Sequence, residues 1–360
     1  MSVATDLIEE LQQAVRQGPK VLAHGGGTKP ALSAAPEGAA GLDVSRLSGI
    51  VDYDPSELTF TALAGTPVAE VDRALGEHGQ YLPFDPPLAD AGATLGGVVA
   101  AGTSGPNAFR YGGVRDFIIG VQFVDGTGRL ITGGGKVVKN AAGFDLPKLM
   151  VGSMGRLGVL VRVSFKVFPR PAATLTVRAD MGSTEAALAA MAQLGRGPID
   201  LDALDLEPPG TLVARVGGAP EILDARALRL KAALGATAQQ LRGEEDAAYW
   251  RSAAEFGWLP AGSTLVKVGL TPRRIPGLEV LLETHGARAR HSLGGNVAWV
   301  AWPAGLSLDA LDAGLRDLEL AGMVLQGPPG GPLLLGRLGG GAFATRVRAA
   351  IDPDSRFLES

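Results

Sequence analysis

The chain has 360 residues, 52 of them glycine and none cysteine, and a formal net charge of −4. Its length allows a sizeable core and more than one domain, and a hydrophobic share of 46% excludes a disordered chain. No basic stripe marks a nucleic-acid surface. The missing cysteines exclude disulfides, thiolate catalysis and iron–sulfur ligation by this chain, and no uncharged apolar run approaches the ~20 residues of a membrane span.

In chain order, Leu7, Ile8, Leu11, Ala14 and Val15 recur at helical spacing and predict a helix over 6–17, stopped by Gly18-Pro19. Asp6, Glu9 and Glu10 leave the N-terminus without the cationic stretch of a secretory signal. A cytoplasmic protein, attached to a membrane at most through partners, is expected. A buried strand at 21–23 runs into His24-Gly25-Gly26-Gly27-Thr28-Lys29. Further strands are expected at 42–44, 49–53 and 58–63, then an amphipathic helix at 67–78 with Val68, Val71, Ala74 and Leu75 on one face.

Glycine then dominates residues 85–163. Strands at 117–124 and 130–132 flank the hairpin signal Asp125-Gly126-Thr127-Gly128. A short helix at 145–150 and a strand at 159–167 follow, and Pro169-Arg170-Pro171 marks a domain boundary. Beyond it, helices at 183–194 and 220–233 alternate with strands at 212–216, 264–270 and 297–301, which suggests an antiparallel sheet with helices on one face. A last clear helix is expected at 307–321, a loop at 327–341 and one more helical turn at 346–351. No internal repeat is visible.

Two clusters point to chemistry. Three glycines after the first strand can present bare N–H groups to phosphate oxygens, with Lys29 adding charge; a tight loop is the competing reading. The spacing is neither a Walker motif nor a dinucleotide G-x-G-x-x-G. Thr94-Leu95-Gly96-Gly97 and Ala100-Ala101-Gly102-Thr103-Ser104-Gly105 would each wrap part of one extended ligand, or serve as helix caps and turns.

The order of these motifs carries a resemblance. Gly25-Gly26-Gly27-Thr28, Asp85-Pro86, Thr94-Leu95-Gly96-Gly97, Tyr111-Gly112-Gly113-Val114-Arg115-Asp116, Lys139-Asn140-Ala141-Ala142-Gly143-Phe144-Asp145-Leu146 and Gly152-Ser153-Met154-Gly155-Arg156-Leu157-Gly158-Val159 fall in one series. Together they resemble the PCMH-type FAD-binding domain of the vanillyl-alcohol oxidase family, and within it the FAD-binding subunits of glycolate oxidases. The resemblance implies an α+β protein. A domain of two α/β subdomains (1–57 and 58–171) would be followed by an α+β cap with an antiparallel sheet (172–345) and a tail (346–360) that returns to the FAD domain.

It also implies FAD, with the pyrophosphate held by Gly25, Gly26, Gly27, Thr28, Thr94, Leu95, Gly96 and Gly97. Ala101, Gly102, Ser104 and Gly105 would line the ribityl and isoalloxazine side. Leu157, Gly158 and Val159 would offer backbone to the flavin or the adenine. Lys29, Pro86, Tyr111, Gly112, Asp116 and Gly152 complete the expected set. The implied activity is oxidation of a small 2-hydroxy acid, with electrons passed to a second flavoprotein subunit and an iron–sulfur subunit. A non-catalytic FAD-stabilised assembly subunit and a stand-alone flavin oxidase are the alternatives.

The chain departs from the pattern at three places. His24 precedes the glycines instead of following them, so non-covalent FAD is expected, with His24 capping its strand or facing solvent. The cap lacks a histidine-rich stretch; His285 and His291 stand six apart without an acidic cluster, and no metal is expected. The tail after Ile351-Asp352-Pro353 lacks the family's ending. No catalytic base is identifiable. A substrate carboxylate needs a cation; Lys267, Arg251 and Arg337 are candidates, each with a solvated surface charge as the competing reading. Trp299 and Trp302 are read as sheet packing.

Overall fold

A computed structural model describes residues 3–135, 144–235, 238–328 and 330–359. Residues 139–143 of the expected FAD motif lie outside the described residues.

Helix α1 (Val3–Gln17) precedes the parallel pair β1 (Val21–His24) and β2 (Ala40–Asp43), between which lies the single turn α2 (Pro30–Ser33). The hairpin β3 (Ile50–Asp54) and β4 (Thr59–Leu63) follows, so the expected division at 57/58 falls in its turn. Helix α3 (Val68–Gly76) buries Val68, Val71 and Leu75, the face set by their three- and four-residue spacing. After β5 (Gln80–Tyr81) come the short helices α4 (Leu95–Ala101), α5 (Ala108–Tyr111) and α6 (Val114–Phe117). Strands β6 (Ile118–Val124) and β7 (Leu130–Gly134) pair across the predicted hairpin, with Asp125 Oδ1 accepting from the backbone N–H groups of Thr127 (2.9 Å) and Arg129 (3.0 Å). Helix α7 (Leu146–Met150), β8 (Val159–Lys166) and β9 (Phe168–Pro169) complete this half. Its five-stranded sheet runs β3-β4-β8-β6-β7.

The second half contains a repeat that the sequence hides. Strand β10 (Ala173–Asp180), α8 (Thr184–Leu194), β11 (Ala203–Glu207), β12 (Thr211–Gly218), α9 (Pro220–Leu234) and β13 (Gln239–Arg242) form one β-α-β-β-α-β unit. After α10 (Glu244–Ala254) the same order returns in β14 (Thr264–Gly269), α11 (Ile275–Thr284), β15 (Arg288–Ser292), β16 (Val297–Trp302), α12 (Asp309–Asp317) and β17 (Ala321–Gln326). The two units meet edge to edge where Leu206 of β11 pairs with His291 of β15. With edge strand β18 (Leu334–Gly336), the nine-stranded sheet runs β13-β10-β12-β11-β15-β16-β14-β17-β18. The fold is α+β. The expectation of no internal repeat is corrected: burial constrains only alternate strand positions and one helix stripe, so two units share a topology without sharing residues.

One face of that sheet packs Leu175, Leu204, Val266 and Val300 against the four helices α8, α9, α11 and α12. The opposite face turns toward the first half. There Leu265, Trp299 and Leu325 join Phe60, Phe84, Phe165 and Val98 in one core. Trp302 is buried among the helices instead. A last helix, α13 (Gly341–Ile351), leads into the tail, where Phe357 bridges Val21 of β1 and is fully buried among Leu11, Val15 and Val161.

Candidate functional site

The chain after β1 turns sharply and lies flat on a neighbouring loop. A Cβ at Gly25 would collide with the Thr94 hydroxyl, and one at Gly26 with the Gly92 carbonyl. Gly27 adopts φ +67°, where a side chain is strained although nothing lies within 4 Å of the space it would take. Glycine is therefore required for contact at two positions and for conformation at the third, and the third faces open space.

That space is a cavity open to solvent. Gly25, Gly26, Gly27, Thr28 and Lys29 form one wall; Thr94, Gly96, Gly97 and Ala101 form another, with Gly158 closing one end. Val44, Leu160, Leu32, Ser33, Ala100, Met154 and Gly155 complete the lining. Of these seven, sequence reasoning offered only Ala100, within the segment 100–105, to a ligand. Met154 and Gly155 lay inside a quoted motif, but apolar strand residues such as Val44 and Leu160 carry no signal beyond core.

Thr94 and the glycines after it are not loop. Thr94 caps α4, its hydroxyl accepting from the Gly97 N–H (3.3 Å), a cap worth about 1 kcal/mol. Lys29 is 6% exposed, and burial lowers its pKa to about 8 against the opposing pull of Glu255. Its Nζ donates to Thr28 Oγ1 (3.4 Å), and no carboxylate among the described residues pairs with it. A buried ammonium beside bare main chain suits a pyrophosphate, whose charge would offset the desolvation.

The other expected residues do not line this cavity. Leu95 and Val159 are fully buried in the core, Leu157 packs at its margin and Pro86 is buried. Gly102 ends α4 in the left-handed conformation that the cap requires. Ser104 Oγ accepts from the Val114 N–H (2.9 Å), and the Gly105 N–H donates to the Phe84 carbonyl (2.8 Å). Tyr111 packs edge-on against Phe168 at 5.5 Å. Asp116 accepts from the Gly113 N–H (2.9 Å), with Gly112 at φ +89° leaving room for the carboxylate. The Gly152 N–H donates to the Val99 carbonyl (2.9 Å).

His24 lines the cavity at the end of β1 with its Nδ1 4.0 Å from Asp43 Oδ1. Lys267 overturns the surface reading. It sits half-buried on the sheet face turned toward the first half, across from Trp299 and Met323, and its Nζ donates to the Gly102 carbonyl (2.6 Å). Desolvation lowers its pKa to about 8. Arg251 and Arg337 are exposed, the first 3.9 Å from Asp90 and the second paired with Glu319. His291 does have an acidic partner, fully buried with Nε2 2.7 Å from Glu279 Oε1. Among the described residues no three His, Cys, Asp or Glu side chains cluster as a metal site would need.

Further charges on that sheet face are paired with one another or with α10. Asp246 accepts from the Thr174 hydroxyl (2.6 Å), the Thr176 hydroxyl (2.5 Å) and Arg215 Nη2 (2.9 Å). Arg290 donates to Asp205 Oδ2 (2.9 Å) and Glu207 Oε1 (2.6 Å) and lies over the rings of Tyr249 and Trp250 at 5.1 and 5.5 Å.

Residues 3–134 of the chain match the family described as FAD binding domain. FAD is its cofactor, and the glycine cavity meets the requirements of such a ligand. The chain is similar to glycolate oxidase subunit GlcE of Escherichia coli, at 39% identity over 222 residues, 62% of this chain and 63% of that protein. D-2-hydroxyglutarate dehydrogenase of Xanthomonas citri pv. viticola is 33% identical over 169 residues, 46% of this chain and 36% of its own length. Glycolate oxidase subunit GlcD of Bacillus subtilis is 32% identical over 168 residues, again 46% and 36%. The chain thus spans just under two thirds of the first relative and little more than a third of the other two. Among solved structures, alkyldihydroxyacetonephosphate synthase shares the fold over 98% of this chain and 75% of its own, with a TM-score of 0.71 at 15% identity. No helix of the described residues is long and apolar enough to cross a membrane.

Proposed function

We propose that this chain is the FAD-binding subunit of an oxidase or dehydrogenase acting on glycolate or a related small 2-hydroxy acid. The observation that carries the reading is the cavity of bare glycine main chain with the buried Lys29 ammonium, unpaired with any carboxylate of the described residues, in its lining. Gly25, Gly26, Gly27, Thr28 and Lys29 hold the pyrophosphate, together with Gly96 and Gly97, and the attachment is non-covalent. FAD, when bound, supplies the hydride acceptor. Lys267, at the far end of α4 from those glycines, holds the substrate carboxylate. The FAD-binding part extends to residue 171, the cap over 172–345 covers it, and the tail from 346 returns to it. Electrons leave to a second flavoprotein subunit and an iron–sulfur subunit, in the cytoplasm or at the membrane through those partners.

An assembly role, with turnover on the partner flavoprotein, is supported by the paired state of the cap's charges. Asp246 of α10 pairs with Arg215, and Arg290 pairs with Asp205 and Glu207, whereas Lys267 is directed at the end of α4. Two measurements on the purified full chain test these readings. Acid precipitation should leave flavin in the supernatant; flavin in the pellet overturns non-covalent binding, and no flavin in either fraction overturns FAD binding. Anaerobic glycolate should bleach the flavin absorbance. Bleaching only in the presence of the partner subunits favours the assembly role.

A further inference from the structure

Helix α2 separates two cavities. Leu32 and Ser33 face the glycine cavity, whereas Ala31 and Ala34 face a second one of about 710 Å³. Val324 and Leu333 bound it from the cap and Leu358 and Glu359 from the tail, and Arg156 lines it.

Arg156 is 5% exposed. Its Nη1 donates to the Met154 carbonyl (3.0 Å), and its buried Nε has no hydrogen-bond partner. No carboxylate among the described residues lies within ion-pair range of it. Burial and the nearby Arg348 guanidinium both press against its charge, lowering its pKa to about 10. Arg348 is itself engaged, donating to the carbonyls of Phe357 (2.7 Å) and Leu358 (2.6 Å). Glu359, at the cavity edge, has a largely exposed side chain 3.9 Å from Lys20. A guanidinium removed from water is ordinarily paired with an anion, and the described residues supply none.

We propose that the second cavity binds a small organic anion, a carboxylate on a short apolar stem, held through the Arg156 guanidinium. A single buried cation matches a monoanion, and its planar fork matches a carboxylate. Val324, Leu333 and Leu358 provide the apolar surface for the stem. The site is distinct from the flavin cavity but adjoins it through residues 154–156, because the Met154 carbonyl that anchors Arg156 belongs to a residue lining that cavity.

The test is calorimetric titration of the FAD-loaded full chain with hexanoate, its uncharged analogue hexanamide, and inorganic phosphate. Hexanoate should bind saturably and at least about tenfold more tightly than either. Arg156→Gln should weaken hexanoate about tenfold or more, and Lys267→Met should leave it unchanged. Leu358→Asp, which places a carboxylate in the cavity without altering the 154–156 turn, should also weaken it and keeps the test open if Arg156→Gln misfolds. Equal binding of hexanoate and hexanamide, or hexanoate binding unchanged in both Arg156→Gln and Leu358→Asp, overturns the site. So does loss of hexanoate binding in Lys267→Met alone. Tighter binding of phosphate than of hexanoate overturns the apolar stem.

Discussion

The glycine cavity and the cap's sheet face hold polarity in opposite ways. The cavity presents main chain and one buried ammonium, with contacts so close that Gly25 and Gly26 cannot carry a Cβ. The sheet face of the second half presents side chains that pair with one another, Asp246 with Arg215 and Arg290 with Asp205 and Glu207, although Asp205 Oδ1, Arg290 Nη2 and Arg215 Nε keep no hydrogen-bond partner. Gly96 and Gly97 spend their N–H groups on the Ala64 carbonyl and the Thr94 hydroxyl, whereas the bare main chain of the Gly25–Gly27 turn is held in place by packing and faces the cavity. Charges already paired with one another leave little to offer a substrate.

The comparison breaks most visibly at Gly26. Gly26→Val should weaken FAD binding by about a hundredfold or more, because the loop must lift away from Gly92. Equilibrium dialysis of apoprotein with FAD checks it. On the cap side, Asp246→Asn leaves the largely buried Arg215 without its partner and should cost about 3 kcal/mol in urea unfolding, with FAD affinity unchanged. A parallel loss of FAD affinity would mean that the two regions are coupled.

Lys267 sharpens the contrast, since it belongs to the cap face but reaches α4. Its pKa is lowered to about 8 from 10.5, so its charge is lost above about pH 8, and with it the carboxylate contact proposed for it. The KM for glycolate should then rise about tenfold per pH unit, while kcat falls less; a flat KM between pH 7 and 10 removes Lys267 from the site. The stability sign is opposite. The unfolded chain binds the proton more tightly, so wild type should gain stability relative to Lys267→Met between about pH 8 and 10.5, by roughly 1–3 kcal/mol. Arg337→Ala, at an exposed pair with Glu319, should change stability by less than about 0.5 kcal/mol.

Legibility followed the range of the forces involved. The hairpin at Asp125-Gly126-Thr127-Gly128, the apolar stripe of α3 and the helix at α12 were readable because their determinants lie within a few residues of one another. Strand β10 escaped notice although 173–180 alternate, since the strand begins almost on the proline pair. Helix α10 has a weak apolar stripe because it packs a charged sheet face, through Asp246 and Trp250. Strand β18 hides in a glycine-rich stretch and exists only because β17 offers it an edge.

At the site, the residues found from sequence were those constrained by backbone, from Gly25 to Lys29 and from Thr94 to Gly97. Those missed were apolar wall residues. By itself, the sequence determined the FAD-binding class, through glycines whose spacing reflects local turns, together with the hydrophobic periodicities of most elements. Tertiary structure decided that Lys267 is half-buried against α4 and not a surface charge, that the second half is a repeated unit, and that Arg156 lies buried with no carboxylate of the described residues beside it. Each depends on which distant strands become neighbours, and the desolvation that gives a charge its properties is set by those neighbours.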